Sequence, residues 1–323
     1  MAERNNKGSL LVLVALAVVV LLAAQVKPAV AGDYTTYMQN KVRDIVKANR
    51  AVAPGFIRLV FHDCWVKGCD GSVLLERADK QAEMDAPQNG GIRGLDVIQT
   101  IKDALAAFDK NVTCADAVVY AAREACYVLS DKKIEYAVDG PGSHKDALTS
   151  SMADAGALPP PFANFTDLVA NFNAKGFTAR DVVVLSGAHA VGQAHRPTFE
   201  SRLDKSVSGR GEINGWYQGE VDRVSNASPT KAVHNNVRDL YKAEAEPGVL
   251  DNGYYKANLQ NTVLFNSDWT LRTDTAAASE MQQYKDSAAT WYALFGEAMA
   301  RLSRLPAEGA TLAVPRTKCS TAN

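Results

Sequence analysis

The sequence predicts a mainly α-helical fold. Apolar residues recur every three or four positions in one segment after another, and Ala-rich runs of high helix propensity lie among them. Strand-like alternation is confined to a few short stretches. Tyr37, Val42, Ile45 and Val46 place an apolar stripe on a first helix over roughly 35–49, and Ile57, Val60 and Phe61 begin a second. Leu95, Ile98, Ile101, Ala104 and Leu105 mark a third, ended by the polar Asp109-Lys110-Asn111. Residues 115–129 form a fourth. Pro159-Pro160-Pro161 forces a break, after which Leu168, Val169 and Phe172 line one face of a helix starting near Phe165. Thr178 is placed to cap a helix running through Val182, Val183 and Leu185 toward Gly187. Residues 204–230, rich in Gly, Ser and Asn, read as a long irregular insertion. Helices then return over 254–264, 275–284 and 288–302, and no linker divides the chain.

The chain has 323 residues, 47% hydrophobic and 22% charged, enough for a sizeable core. Its net charge of -1 argues against nucleic acid or an anionic membrane as the main partner. The front of the chain is different. A polar start with Arg4 and Lys7 leads into an apolar run, Leu10 to Ala24, and then to Ala29-Val30-Ala31. This is the layout of a secretory leader cleaved after Ala31, because the run is shorter than the roughly 20 residues a spanning helix needs. The expected division is a signal peptide over 1–31 and one domain over 32–323, with no membrane attachment after cleavage.

Export sets the reading of the five cysteines: two bonded pairs and one odd thiol. Cys64 and Cys69 are close enough for a small local loop, and Cys114 with Cys319 would tie the C-terminus to the middle of the chain. Cys126, in an apolar helical run, reads as a buried free thiol. Asn111, Asn164 and Asn226 each begin a glycosylation sequon.

The densest chemistry lies in Arg58–Ser72, RLVFHDCWVKGCDGS. Arg58 and His62 are four apart, so a helix projects both from one face. A neutral imidazole there can take a proton from one oxygen and return it to another, while the guanidinium stabilises developing negative charge. The alternative is a capped histidine beside a surface arginine. Asp63, Asp70 and Ser72 offer oxygen ligands suited to calcium, and Gly68 and Gly71 permit a tight turn between them. Zinc on His62, Cys64 and Cys69 is the competing reading. In VVVLSGAHAVG, small neighbours around His189 leave room for a flat, bulky group such as a haem to approach the imidazole. The alternative is a packed core histidine.

FHDC and GCDGSVLL, followed by LSGAHAVG, LDNGYY and SDW in that order, resemble the secreted plant haem peroxidases of class III, over about 34–319. Within that family the chain is most similar to the atypical grass forms carrying HDCWV and NLQN..LF.SDW. The resemblance implies a mainly α fold with haem b between distal and proximal helical halves. It implies reduction of hydrogen peroxide with one-electron oxidation of phenolic donors, a role in the response to oxidative stress, a monomer, and location in the apoplast or cell wall. Carried over residue by residue, His62 is the distal acid–base group, Arg58 its assistant and Asn89 the amide that orients it. Asp63, the carbonyls of Val66 and Gly68, Asp70 and Ser72 would hold a distal calcium. Pro159 would line the donor opening. His189 would be the axial iron ligand, with Asp268 hydrogen-bonded to its other nitrogen.

Departures from the family accompany the likeness. The family usually has four disulfide bridges, and two can form here. After the axial histidine it uses threonine or serine where this chain has Ala190, and Glu246 stands where threonine is usual, although Asp251 of LDN remains. One calcium is therefore expected, with the proximal one at Asp251 weak or absent. Two other functions compete: a haem-retaining or wall-binding protein with weak catalysis, and a zinc hydrolase.

Overall fold

The computed structural model describes residues 34–204, 211–226, 232–243 and 245–322. The predicted leader lies outside the described residues. Among those described, no helix is long and apolar enough to cross a membrane.

Helix α1 (Thr36–Ala48) buries Met38, Val42 and Val46, the four-residue spacing of a single stripe. Helix α2 (Ala53–Lys67) has Pro54 in its first turn, where a missing N–H costs nothing, and stops at Gly68 with φ +87°. After α3 (Leu95–Ala106), Thr113 caps α4 (Cys114–Leu129) by accepting from the Asp116 backbone N–H, and Asp116 reciprocates. Helix α4 is buried along almost its whole length and packs against α1, α2 and α3. Its small alanines allow that approach from three sides.

The second half is hung from shorter helices. Asn164 caps α5 (Phe165–Asn173), and Thr178 caps α6 (Ala179–Ser186). A single tight turn, Gly187–Ala190, then carries His189. Strand β1 (Gln193–His195) pairs antiparallel with β2 (Ala232–His234), with Ala194 opposite Val233. The remaining helices are α7 (Glu200–Leu203), α8 (Gly215–Asn226), α9 (Gly253–Leu259), α10 (Asn266–Trp269), α11 (Thr275–Asp286) and α12 (Ala288–Leu302).

Two expectations need correction. The stretch 204–230 is not irregular throughout, because α8 occupies its centre and buries Tyr217, Val221 and Val224 against Phe199, Leu203 and Val233. Helical spacing was present but sat among Gly215, Gly219 and Ser225, which lower intrinsic propensity; packing overrides it. The helix expected over 254–264 ends at Leu259, since Asn261 turns left-handed at φ +60° and the Thr262 hydroxyl donates back to the Ala257 carbonyl. Val263 and Leu264 are buried without being helical.

Both expected disulfides form, Cys64–Cys69 and Cys114–Cys319, and Cys126 is free and buried. The second bridge returns the C-terminal strap to the start of α4. There the buried Arg316 donates to the Gly71 carbonyl at 2.7 Å, and its backbone N–H donates to Asp146 at 2.8 Å.

His144 locks the same region. Its Nδ1 lies 2.8 Å from the Asp116 carboxylate and its Nε2 2.7 Å from the Ser303 carbonyl. Both partners are acceptors, so both ring nitrogens donate and the imidazole is cationic. Burial opposes the charge, but Asp116, the Ser303 carbonyl and Asp139 outweigh it and raise the pKa above 6.5. The folded state therefore holds this proton more tightly than the unfolded state. Its contribution is complete below pH 6.5 and fades as pH rises through the raised folded value. His144→Gln should cost about 2 kcal/mol near pH 6 and lose that decline, as seen in thermal melts of both proteins from pH 6 to 9.

Candidate active site

Helical phase puts Arg58 and His62 on the same side of α2. Arg58 Nε donates to His62 Nε2 at 3.2 Å, so that nitrogen is an acceptor and the ring proton sits on Nδ1. Nδ1 in turn donates to Asn89 Oδ1 at 2.5 Å, while Asn89 Nδ2 donates to the Glu83 carbonyl at 2.6 Å. The amide is thereby oriented from behind. The same loop grips the guanidinium, whose two terminal nitrogens donate to the Gln88 and Gly90 carbonyls at 2.9 and 3.1 Å. Burial foremost, then the Arg58 charge, pushes His62 down to about 3 against the opposing Asn89 bond. Burial, with Arg93 nearby, brings Arg58 to about 10. The imidazole is neutral at ordinary pH and the guanidinium charged.

His189 leaves the end of α6 with Nδ1 donating to Asp268 Oδ1 at 2.8 Å. Asp268, buried on α10, also accepts from the Tyr254 hydroxyl at 2.8 Å, and its backbone carbonyl accepts from Asn258 Nδ2 at 2.7 Å. Burial would lower the pKa of His189, but Asp268 raises it on balance. Among the small neighbours of His189, Gly187 makes room for the protein itself: a Cβ there would come 2.6 Å from the Trp291 indole. Trp291 needs that space to donate to the Val184 carbonyl.

A flat cofactor is tested by the faces these groups leave open. The His189 side chain is 39% exposed, yet desolvation is the largest influence on it, so the open face belongs to an interior slot. Arg58, Phe61 and His62 are likewise half-buried. The Arg58 charge also opposes a proton on His189. No described residue hydrogen-bonds His189 Nε2. A haem iron fits this imidazole and this slot.

Beyond His62 the acids converge. Asp63 Oδ2 accepts from the Gly71 N–H at 3.0 Å and Asp70 Oδ1 from the Ser72 N–H at 2.9 Å, in a turn where Gly68 and Gly71 have φ of +87° and +66°. Asp63 Oδ1, Ser72 Oγ and both carboxylate oxygens of Glu83 are buried without a partner. Burial, then mutual repulsion, raises Asp63; burial also raises Asp70, and Glu83 reaches about 8. Buried oxygens lacking donors fit a hard cation such as calcium. Glu83 is an acid that the sequence analysis did not assign to this group. The Val66 carbonyl accepts from Lys175 Nζ at 3.3 Å. The Cys64–Cys69 bond consumes the thiols that zinc would require.

Other expected residues lie apart. Pro159 is half-buried at the start of the proline run, whose Pro161 carbonyl accepts from the Ser267 N–H next to Asp268. Asp251 is bound by Arg238. Asn111 and Asn164 are exposed, and so is Asn226, whose sequon runs on outside the described residues.

A helical fold enclosing a slot between a neutral histidine–arginine pair and a carboxylate-backed histidine defines a haem-dependent oxidoreductase. The peroxidase family profile matches residues 38–287. The chain is 34% identical to peroxidase 5 of Vitis vinifera, covering 83% of this chain and 81% of that one. It is 34% identical to peroxidase 2 of Zea mays over 90% and 88%, and 30% identical to peroxidase 39 of Arabidopsis thaliana over 99% of each. The chain belongs to the peroxidase family, in its plant class III branch. That family uses haem and calcium and acts on hydrogen peroxide.

Asp268→Ala would orphan the buried donors of His189 and Tyr254. It should cost about 2–6 kcal/mol in denaturant unfolding, the sum expected for two unsatisfied groups.

Proposed function

We propose that this peroxidase works through a fixed neutral imidazole at His62, aimed into the slot opposite His189. The observation that carries this reading is the Arg58–His62–Asn89–Glu83 hydrogen-bond chain, which allows only the tautomer with its lone pair on Nε2. His189 Nε2 would hold the iron of haem b, and Asp268 makes that imidazole a stronger donor. Bound haem supplies the redox chemistry that couples peroxide reduction to one-electron oxidation of donors.

As peroxide displaces the Arg58 Nε–H from His62 Nε2, that nitrogen takes the proton from the near oxygen and returns it to the departing oxygen, which leaves as water. Arg58 faces the charge that develops as the O–O bond breaks. Asn89 keeps the ring in register throughout. Phenols are the donors this reading favours, entering beside Pro159. One calcium is held by Asp63, Asp70 and Ser72, with the Val66 and Gly68 carbonyls. Nothing in the site favours the weak-catalysis alternative, since both histidines keep their partners.

The predicted leader over 1–31 supports secretion to the apoplast or cell wall, and the disulfides suit that oxidising compartment. A monomer without nucleic-acid or membrane partners, glycosylated among Asn111, Asn164 and Asn226, completes the reading. His62→Ala should slow the reaction with peroxide by at least about 10²-fold in stopped-flow mixing. An unchanged rate would remove His62 from its role.

A further inference from the structure

We infer that the Arg238 guanidinium is the resident cation of the proximal half, standing where the family would place a second calcium, so that this half needs no metal ion. The residues there do not fit calcium. Ala190, after the axial histidine, is buried and offers a methyl group instead of an oxygen. Arg238 Nη1 spans both oxygens of Asp251, at 3.0 and 2.7 Å, and Asp251 Oδ1 also accepts from the Gly253 N–H at 2.9 Å. Nη2 donates to the Val249 carbonyl at 3.1 Å and to Asp239 Oδ2 at 3.1 Å, while Nε reaches Asp239 Oδ1 at 3.2 Å. Lys242 Nζ adds an ion pair to Asp239 at 3.0 Å.

Two carboxylates therefore meet two cations. Calcium takes about six to eight oxygen ligands, and here the carboxylate oxygens already face N–H donors. A dication entering this cluster would also be repelled by the guanidinium. The distal acids are the reverse case, with buried oxygens that no donor reaches.

The cluster bears on the axial segment. Gly248 has φ +78°, and a Cβ on it would lie 2.6 Å from Asp239 Oδ2 and 3.7 Å from Val191 Cγ1. Arg238 thus gathers Asp239, Val249 and Asp251 around the chain two residues past His189. A planar, bidentate guanidinium suits this role, because it fixes direction as well as charge.

The test is calcium stoichiometry on the haem-loaded protein after EDTA treatment, by metal analysis and calorimetric titration with calcium chloride. The inference rests on the distal reading only for the expected count of one ion. Wild type and Asp251→Asn should each bind one equivalent. Arg238→Met should melt about 3–8 °C lower in EDTA. Two equivalents in the wild type would overturn the inference, as would a smaller count in Asp251→Asn. So would an unchanged melting temperature of Arg238→Met in EDTA. No calcium in either protein would sink the distal reading and leave the Arg238 clamp standing.

Discussion

A neutral imidazole gripped from both sides is the constraint on which the distal half is built. His62 rests neutral where it sits, because burial and Arg58 oppose the proton. Nor can its ring turn, because Arg58 occupies one nitrogen and Asn89 the other. Every nearby element serves that geometry. Helix α2 supplies the four-residue spacing, and the loop over 87–90 supplies the amide and the carbonyls that hold the guanidinium. The acid-rich turn past Gly68 anchors the end of α2, while Cys64–Cys69 and the Arg316 strap hold that turn in place.

Charge is handled differently in four places. At His144 and Asp116 a proton on the imidazole meets the carboxylate directly, which makes the junction of α4 and α12 sensitive to pH. At Asp63, Asp70 and Glu83 the acids outnumber their donors, and the surplus of buried lone pairs calls for a cation from solution. At Asp239 and Asp251 the cations are side chains of the protein itself. Asp268 is a fourth variation, in which hydrogen bonds from a histidine and a tyrosine orient a buried carboxylate.

Legibility followed distance along the chain. Arg58 and His62 were readable as a pair because helical periodicity converts four residues into a shared face. Asp63, Asp70 and Ser72 fall within one short segment that turns at Gly68 and Gly71, so their oxygens could be grouped from composition. Glu83 was missed because nothing local marks it; only folding brings its oxygens beside Ser72. Asp268 lies 79 residues from His189, and only resemblance connected them. Helix α8 was hidden by glycines and serine, since its stability comes from Tyr217, Val221 and Val224 meeting a second small core.

The sequence by itself determined the helical class, the order of the two histidine motifs, the disulfide-forming cysteines and the oxygen-rich turn. Each of these depends on periodicity or on residues close together, where the backbone leaves few arrangements. Tertiary structure alone decided that His62 holds its proton on Nδ1, that Glu83 joins the distal acids, and that Arg238 has taken Asp251. Those outcomes depend on which donors and acceptors meet after burial removes water as a partner, and chain order does not encode that pairing.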